Sequence, residues 1–372
     1  MNLPLRWSIV LAIACASHAQ EPGRPLQEVQ VMQREDLGSV TSVVSSPDGR
    51  FLYAAAFNPG NVLTFKRDAA SGQLEFQDIM TGEALNAAVN LGLSSDGNYL
   101  VVSSFRANSV ALMKRDPESG SLTVVDGAFD GEAGAAGLRF VIKASFSKDG
   151  KHIYTGSAEG VGVFEKENNR MKFLQFEQAG GLLKGVRDTV LSPNGRWLYA
   201  PAYQSGTLGV FQRDPATGKL QTLQVIANDG EVTRGVAGAF RVQASEDGKH
   251  VYLSSGRFNG DQAISAFEVQ SDGQLKQIQV LDNQVEGFGE FLGGNSLAMS
   301  NDGGTLFALA SVADKLFRLK RDAVTGKLSV IGSQQVGELA KPGSAGVCLS
   351  PDGKFLYVAD ETTASIVVFR NE

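Results

Sequence analysis

Along this chain, short apolar runs alternate with polar turns at spacings too short for helices. "TSVVSS" ends at Ser46, a polar turn follows through Pro47, Asp48 and Gly49, and "RFLYAAA" runs on from Arg50. Pro presets one turn angle, Asp bonds its own backbone and Gly accepts positive φ. The unit therefore reads as a tight hairpin between two strands. It recurs at Asp48-Gly49, Asp96-Gly97, Asp149-Gly150, Asn194-Gly195, Asp247-Gly248, Asp302-Gly303 and Asp352-Gly353. Successive turns lie 48, 53, 45, 53, 55 and 50 residues apart.

Each repeat has the same grammar. An alternating strand precedes the turn, an apolar strand such as "KFLYVAD" follows it, and a third strand ends like "TLGVFQRD". A second turn such as "DPATGKL" then opens a fourth strand at its Leu. Four short antiparallel strands per unit, seven units and no helical periodicity predict an all-β, seven-bladed β-propeller. Stacking blades in a ring buries both faces of each, which accounts for apolar residues at both strand parities. The last unit stops at its third strand, "SIVVFRNE", and "LQEVQVMQRED" (Leu26 to Asp36) has the pattern of the missing fourth. The N-terminal strand is expected to complete the C-terminal blade, closing the ring and removing two exposed edges.

Residues 1–19 read as a signal peptide: a basic start, "MNLPLR", the apolar stretch "WSIVLAIACA", and small residues Ser17 and Ala19 before the cut. Residues 20–25 form a flexible lead, and 26–372 a single propeller domain. The expected location is secreted or periplasmic, with a lipid anchor through Cys15 as the alternative. Cleavage after Ala19 leaves Cys348 as the one cysteine, so no internal disulfide can form. "AGVCLS" places that thiol in an apolar strand, as a small hydrophobe. A formal charge of −6 and no basic stripe argue against nucleic-acid binding. No transmembrane segment is expected after signal removal.

The combination SPDG(R/K)FLY with FxRDxxTGxL resembles the lactonase-type seven-bladed propellers, which include 6-phosphogluconolactonases and carboxymuconate-lactonising enzymes. The resemblance spans nearly the whole mature chain. It implies a central funnel lined by His, Arg and Glu near the starts of the innermost strands, at the positions six and seven residues before each turn Asp or Asn. Here those pairs are Thr41-Ser42, Val89-Asn90, Ile142-Lys143, Arg187-Asp188, Phe240-Arg241, Asn295-Ser296 and Ala345-Gly346. None is histidine, and Ser296 and Gly256 stand where the family carries Glu. Arg241 and Arg187 keep the family's chemical character. His152 and His250 follow "DGK" and read as solvated turn residues.

Lactone hydrolysis needs a group that activates water and a group that holds the developing oxyanion. Asp188 and Arg241 are the candidate catalytic pair, with Glu290 an alternative carboxylate. Asn90, Lys143, Arg187, Glu290 and Asn295 are the candidate ligand-binding residues. Arginines from successive blades suit a small anionic ligand through two-pronged hydrogen bonding. Metal-ligand spacing, phosphate loops, HExxH and GxSxG are absent, so no metal or cofactor is expected. Three functions stay open: a lactonase-like hydrolase or isomerase acting on a small anionic sugar acid or lactone, a non-catalytic propeller binding a ligand or protein partner, and a structural envelope-assembly scaffold. A monomer is expected.

Overall fold

In this computed structural model residues 25–229, 232–256, 259–336 and 344–371 are described. The segment read as a signal peptide, 1–19, and all but residue 25 of the expected lead, 20–25, lie outside them. The strands form seven separate four-stranded antiparallel sheets, six of them in sequence order from the inside outward. Blade 1 comprises Val40–Ser45, Phe51–Ala56, Asn61–Arg67 and Leu74–Thr81. Blade 7 combines Ser344–Leu349, Phe355–Asp360 and Ser365–Arg370 with the N-terminal strand Gln27–Gln33. That strand pairs antiparallel with Ser365–Arg370, Gln27 opposite Arg370 and Gln33 opposite Ser365, so the ring closes as its pattern predicts. No helix among the described residues is long and apolar enough to cross a membrane.

The repeated turn is built from its own side chains. Ser46 Oγ donates to Asp48 Oδ1 at 2.5 Å, and the same oxygen accepts the Arg50 amide at 3.0 Å. The equivalent serines, Ser94, Ser147, Ser192, Ser245, Ser300 and Ser350, make the same bond to the turn Asp or Asn two residues on. Gly49 sits at φ 69°, the left-handed region that glycine enters without steric cost.

The hydrophobic core is divided among the blade junctions. Leu52, Ala54 and Ala56 of one strand pack toward blade 7, with Tyr357 and Val368. Phe51, Tyr53 and Ala55 of the same strand pack toward blade 2, with Leu100 and Met113. All six residues are buried. The middle strands are therefore apolar throughout because each has a neighbouring blade on either side.

Polar devices stitch the same junctions. Arg115 of blade 2 reaches back to Tyr53 Oη at 2.8 Å and to Asp48 Oδ2 at 2.5 Å, both in blade 1. Arg67 makes the equivalent latch from blade 1 to Tyr357 and Asp352 of blade 7, and Arg321 the one to Tyr252 and Asp247. Further out, a glutamine of one blade clamps the first outer-strand leucine of the next. The Leu74 amide donates to Gln30 Oε1 at 2.7 Å while Gln30 Nε2 donates to the Leu74 carbonyl at 3.0 Å.

His152 and His250 are not solvated, contrary to the reading of their turns; they are 2% and 3% exposed. They occupy the slot that holds Phe51, Trp197 or Phe355 in other blades, a flat ring against a glycine of the next blade: Gly218 for His152, Gly326 for His250. Their Nδ1 atoms lie 2.9 and 2.8 Å from Nη2 of Arg213 and Arg321. A guanidinium only donates, so each Nδ1 accepts and each imidazole is neutral. Burial, and then the adjacent arginine, lowers both histidine pKa values.

Candidate functional site

The innermost strands converge on a central cavity of about 220 Å³. Every blade contributes to its lining, through Ser42, Asn90, Lys143, Asp188, Arg241, Ser296 and Gly346 among others. Each of these seven stands six residues before its turn Asp or Asn. Of the neighbouring positions at minus seven, Thr41 and Ala345 also line it, and Val89, Ile142, Arg187, Phe240 and Asn295 do not. A β-bulge sharpens the choice. The inner-strand register shifts between Val40 and Ser42, Ala88 and Asn90, Ala239 and Arg241, Gly294 and Ser296, and Ser344 and Gly346. In these five blades the residue at minus seven is the extra one, and the bulge re-aims the next side chain.

Blade 4 departs most from the pattern. Its inner strand is only Val190–Leu191, and the extended segment before it carries Asp188. The Asp188 carboxylate supplies the missing backbone partners. Its Oδ1 accepts the Thr189 amide at 2.9 Å, and its Oδ2 accepts the Val242 amide of blade 5 at 3.2 Å. Lys143 Nζ, from blade 3, lies 3.1 Å from Asp188 Oδ1. Arg241, from blade 5, donates through Nη1 to the Arg187 carbonyl at 2.5 Å. Burial lowers the Arg241 pKa below the ordinary arginine value, and the Asp188 charge opposes that shift. Three ionisable groups from three adjacent blades thus line one small cavity, with two positive charges against one negative.

On the opposite wall the polar groups are neutral. Asn90 Nδ2 donates to Ser42 Oγ at 3.3 Å, and the Val347 amide donates to Ser296 Oγ at 3.2 Å. Asn90 is 8% exposed, and its Oδ1 accepts no hydrogen bond from the protein. A buried acceptor left open at a cavity wall suits a ligand hydroxyl or a water.

The structure brings together Asn90, Lys143, Asp188 and Arg241 of the expected residues. It leaves three outside the lining. The Arg187 guanidinium lies over the rings of Tyr203 and Phe240, at 5.3 and 5.7 Å from their centroids. Glu290 is exposed and paired with Lys315. Asn295 is fully buried one residue from the cavity position. Ser42 and Ser296 were reachable from the sequence by taking the minus-six parity alone.

The family model for the seven-bladed β-propeller lactonases matches residues 24–136, 127–234 and 184–341. No curated protein matches the chain. Among solved structures, a proposed 6-phosphogluconolactonase from Bacteroides uniformis is similar, with a TM-score of 0.63 and 21% identity over 78% of this chain and 83% of that one. The periplasmic gluconolactonase of Pseudomonas aeruginosa superposes with a TM-score of 0.66 and 19% identity, covering 92% of this chain and 93% of that one. Hydrazine synthase of Kuenenia stuttgartiensis reaches 0.67 at 18% identity, over 90% and 96% of the two chains. At such identities the structural likenesses speak for the fold, whereas the family match spans most of the sequence: this chain belongs to the lactonase family of seven-bladed β-propellers.

Proposed function

We propose that the protein hydrolyses a small anionic sugar lactone at the central cavity. The supporting observation is the convergence of Lys143, Asp188 and Arg241 on one lining. A cavity near 220 Å³ lies below the roughly 300–1,000 Å³ typical of drug-sized ligands, which favours a compact substrate. Asp188 is the one carboxylate among the lining residues and is assigned to activate water. Arg241 and Lys143 hold the substrate's acid group and the oxyanion formed as water adds to the lactone carbonyl. The signal-like pattern of residues 1–19 and the periplasmic gluconolactonase neighbour support a periplasmic location.

One observation favours a second reading, reversible binding of a sugar acid without turnover. Both Asp188 oxygens already accept backbone hydrogen bonds, and Lys143 neutralises one of them. A carboxylate so engaged is a firm anchor before it is a free base. The experiment is hydrolysis of an anionic sugar lactone, 6-phosphoglucono-δ-lactone, alongside thermal shift with gluconate. Arg241→Ala abolishes both responses if the cavity is the site. Asp188→Asn abolishes turnover under the lactonase reading. Turnover that survives Asp188→Asn removes the base assignment, and gluconate stabilisation without any turnover selects the binding reading.

A further inference from the structure

A second groove, of about 380 Å³, lies at the entry to the inner strands of blades 3 and 4. Phe140, Arg139, Lys184, Leu183, Gln178 and Gln204 line it, with Glu159 beside them. Phe140 stands three residues before Lys143, and Lys184 three before Arg187, so the groove opens near the rim of the central cavity.

Phe140 is unusual in two respects. Its backbone sits at φ 51°, and it is the one aromatic among the described non-glycine residues at positive φ. A bulky residue there is strained, and such strain persists only where the surroundings enforce it. The enforcing contacts are visible: its amide donates to Asn108 Oδ1 at 2.7 Å, and its ring stacks on Phe105 with centroids 4.9 Å apart and planes 24° apart. Yet the side chain stays 40% exposed. The fold thus holds a flat ring, backed by Phe105, partly open to solvent at the edge of a groove.

The groove's other groups state what such a ring would meet. Gln178 and Gln204 bring amides that both donate and accept, as vicinal hydroxyls require. Arg139, its guanidinium carbon 5.2 Å from the Phe140 centroid, and Lys184 bring two positive charges. Glu159, 3.8 Å from Arg139, returns one negative charge. A pyranose packs its C–H face on an aromatic face, and a uronate adds a single carboxylate to match the net positive charge.

We propose that this groove binds an acidic oligosaccharide, one uronate unit stacking on Phe140 with its carboxylate toward Arg139 and Lys184. The proposal is independent of the central-cavity function. Isothermal titration with tetragalacturonate tests it, with its methyl ester and a polyglutamate peptide as comparisons. The wild type should bind tetragalacturonate more tightly than either. Phe140→Gly removes the ring and suits the backbone, so it should weaken binding by about tenfold or more without lowering the unfolding midpoint. Lys184→Gln should weaken binding and erase the preference over the ester. Arg241→Ala should leave it unchanged, which separates this site from the central one. No binding at about 10 mM tetragalacturonate, above the millimolar range of weak ligands, overturns the proposal. So does unchanged affinity in both Phe140→Gly and Lys184→Gln. Polyglutamate binding as tight as tetragalacturonate overturns it in favour of a protein partner.

Discussion

Replacing Arg67 by methionine should loosen the seam where blade 1 meets blade 7. The Arg67 side chain is 2% exposed. Its Nε donates to Tyr357 Oη at 2.6 Å, its Nη1 to the Gly49 carbonyl at 2.9 Å, and its Nη2 reaches Asp352 Oδ2 at 3.1 Å. Hydrogen bonds to a charged group contribute roughly 1.5–3 kcal/mol each, a gross sum that regained hydration of the unfolded arginine largely offsets. Three further facts set the net. Methionine refills the apolar stem. Tyr357 keeps its bond to the Gly72 carbonyl at 3.0 Å. Asp352, 35% exposed, can be hydrated, whereas the Gly49 carbonyl loses its buried donor. The expected loss is therefore about 3 kcal/mol, the low end for breaking a buried ion pair. Urea unfolding followed by circular dichroism reads it, with Arg50→Met as the control. Arg50 pairs with Glu118 at 3.2 Å, but the two side chains are 48% and 84% exposed. That change should cost less than about 1 kcal/mol. Equal midpoints for the two variants would show that the buried latch adds nothing over a surface pair.

Three other outcomes are expected. Because His152 and His250 have lowered pKa values, the unfolded chain binds their protons more readily; stability should be complete above pH 6.5 and decline as pH falls below it. His152→Phe should flatten that decline, measured as urea midpoints from pH 8 to 5, and an unaltered slope would contradict the neutral-ring assignment. Gly120→Ala should cost about 2–4 kcal/mol in the same assay, since the glycine sits at φ 74° and an added Cβ would lie 2.4 Å from the Phe51 ring. Deleting residues 26–36 should cost several kcal/mol by baring the Ser365–Arg370 edge and an apolar blade face, and superimposable unfolding curves would refute it.

The fold was legible because its signals are local. Ser, Asp and Gly make the turn within five residues, and the turn recurs in register with the strands. The closing strand was legible because Leu26 to Met32 repeats an outer-strand pattern. The cavity was only half legible. The family's two candidate positions differ by one residue, and in a strand one residue selects the face. The bulge before Ser42, Asn90, Arg241, Ser296 and Gly346 brings the minus-six residue to the cavity, joined in two blades by Thr41 and Ala345, and no residue type in those segments announces it. Glu290 lies outside the lining for another reason: Lys315 is within its reach, and only tertiary structure brings them together. His152 and His250 could have been placed by aligning repeats, since Phe51, Trp197 and Phe355 occupy the same column.

Glutamine clamps hold the ring on both sides of its chain break as they do at junctions the backbone crosses. Gln334 holds Leu26 through its amide at 2.6 Å, Gln30 holds Leu74, and Gln279 holds Leu328 in the same way. The junctions flanking the N-terminal strand therefore have the same chemistry as one that the backbone crosses without a break. With Gln27 opposite Arg370, a short peptide would join the two ends, and new termini could be opened in a loop of another blade. Such a circular permutant would keep every blade-to-blade contact. The covalent order of the blades is one of several ways of threading the same closed ring.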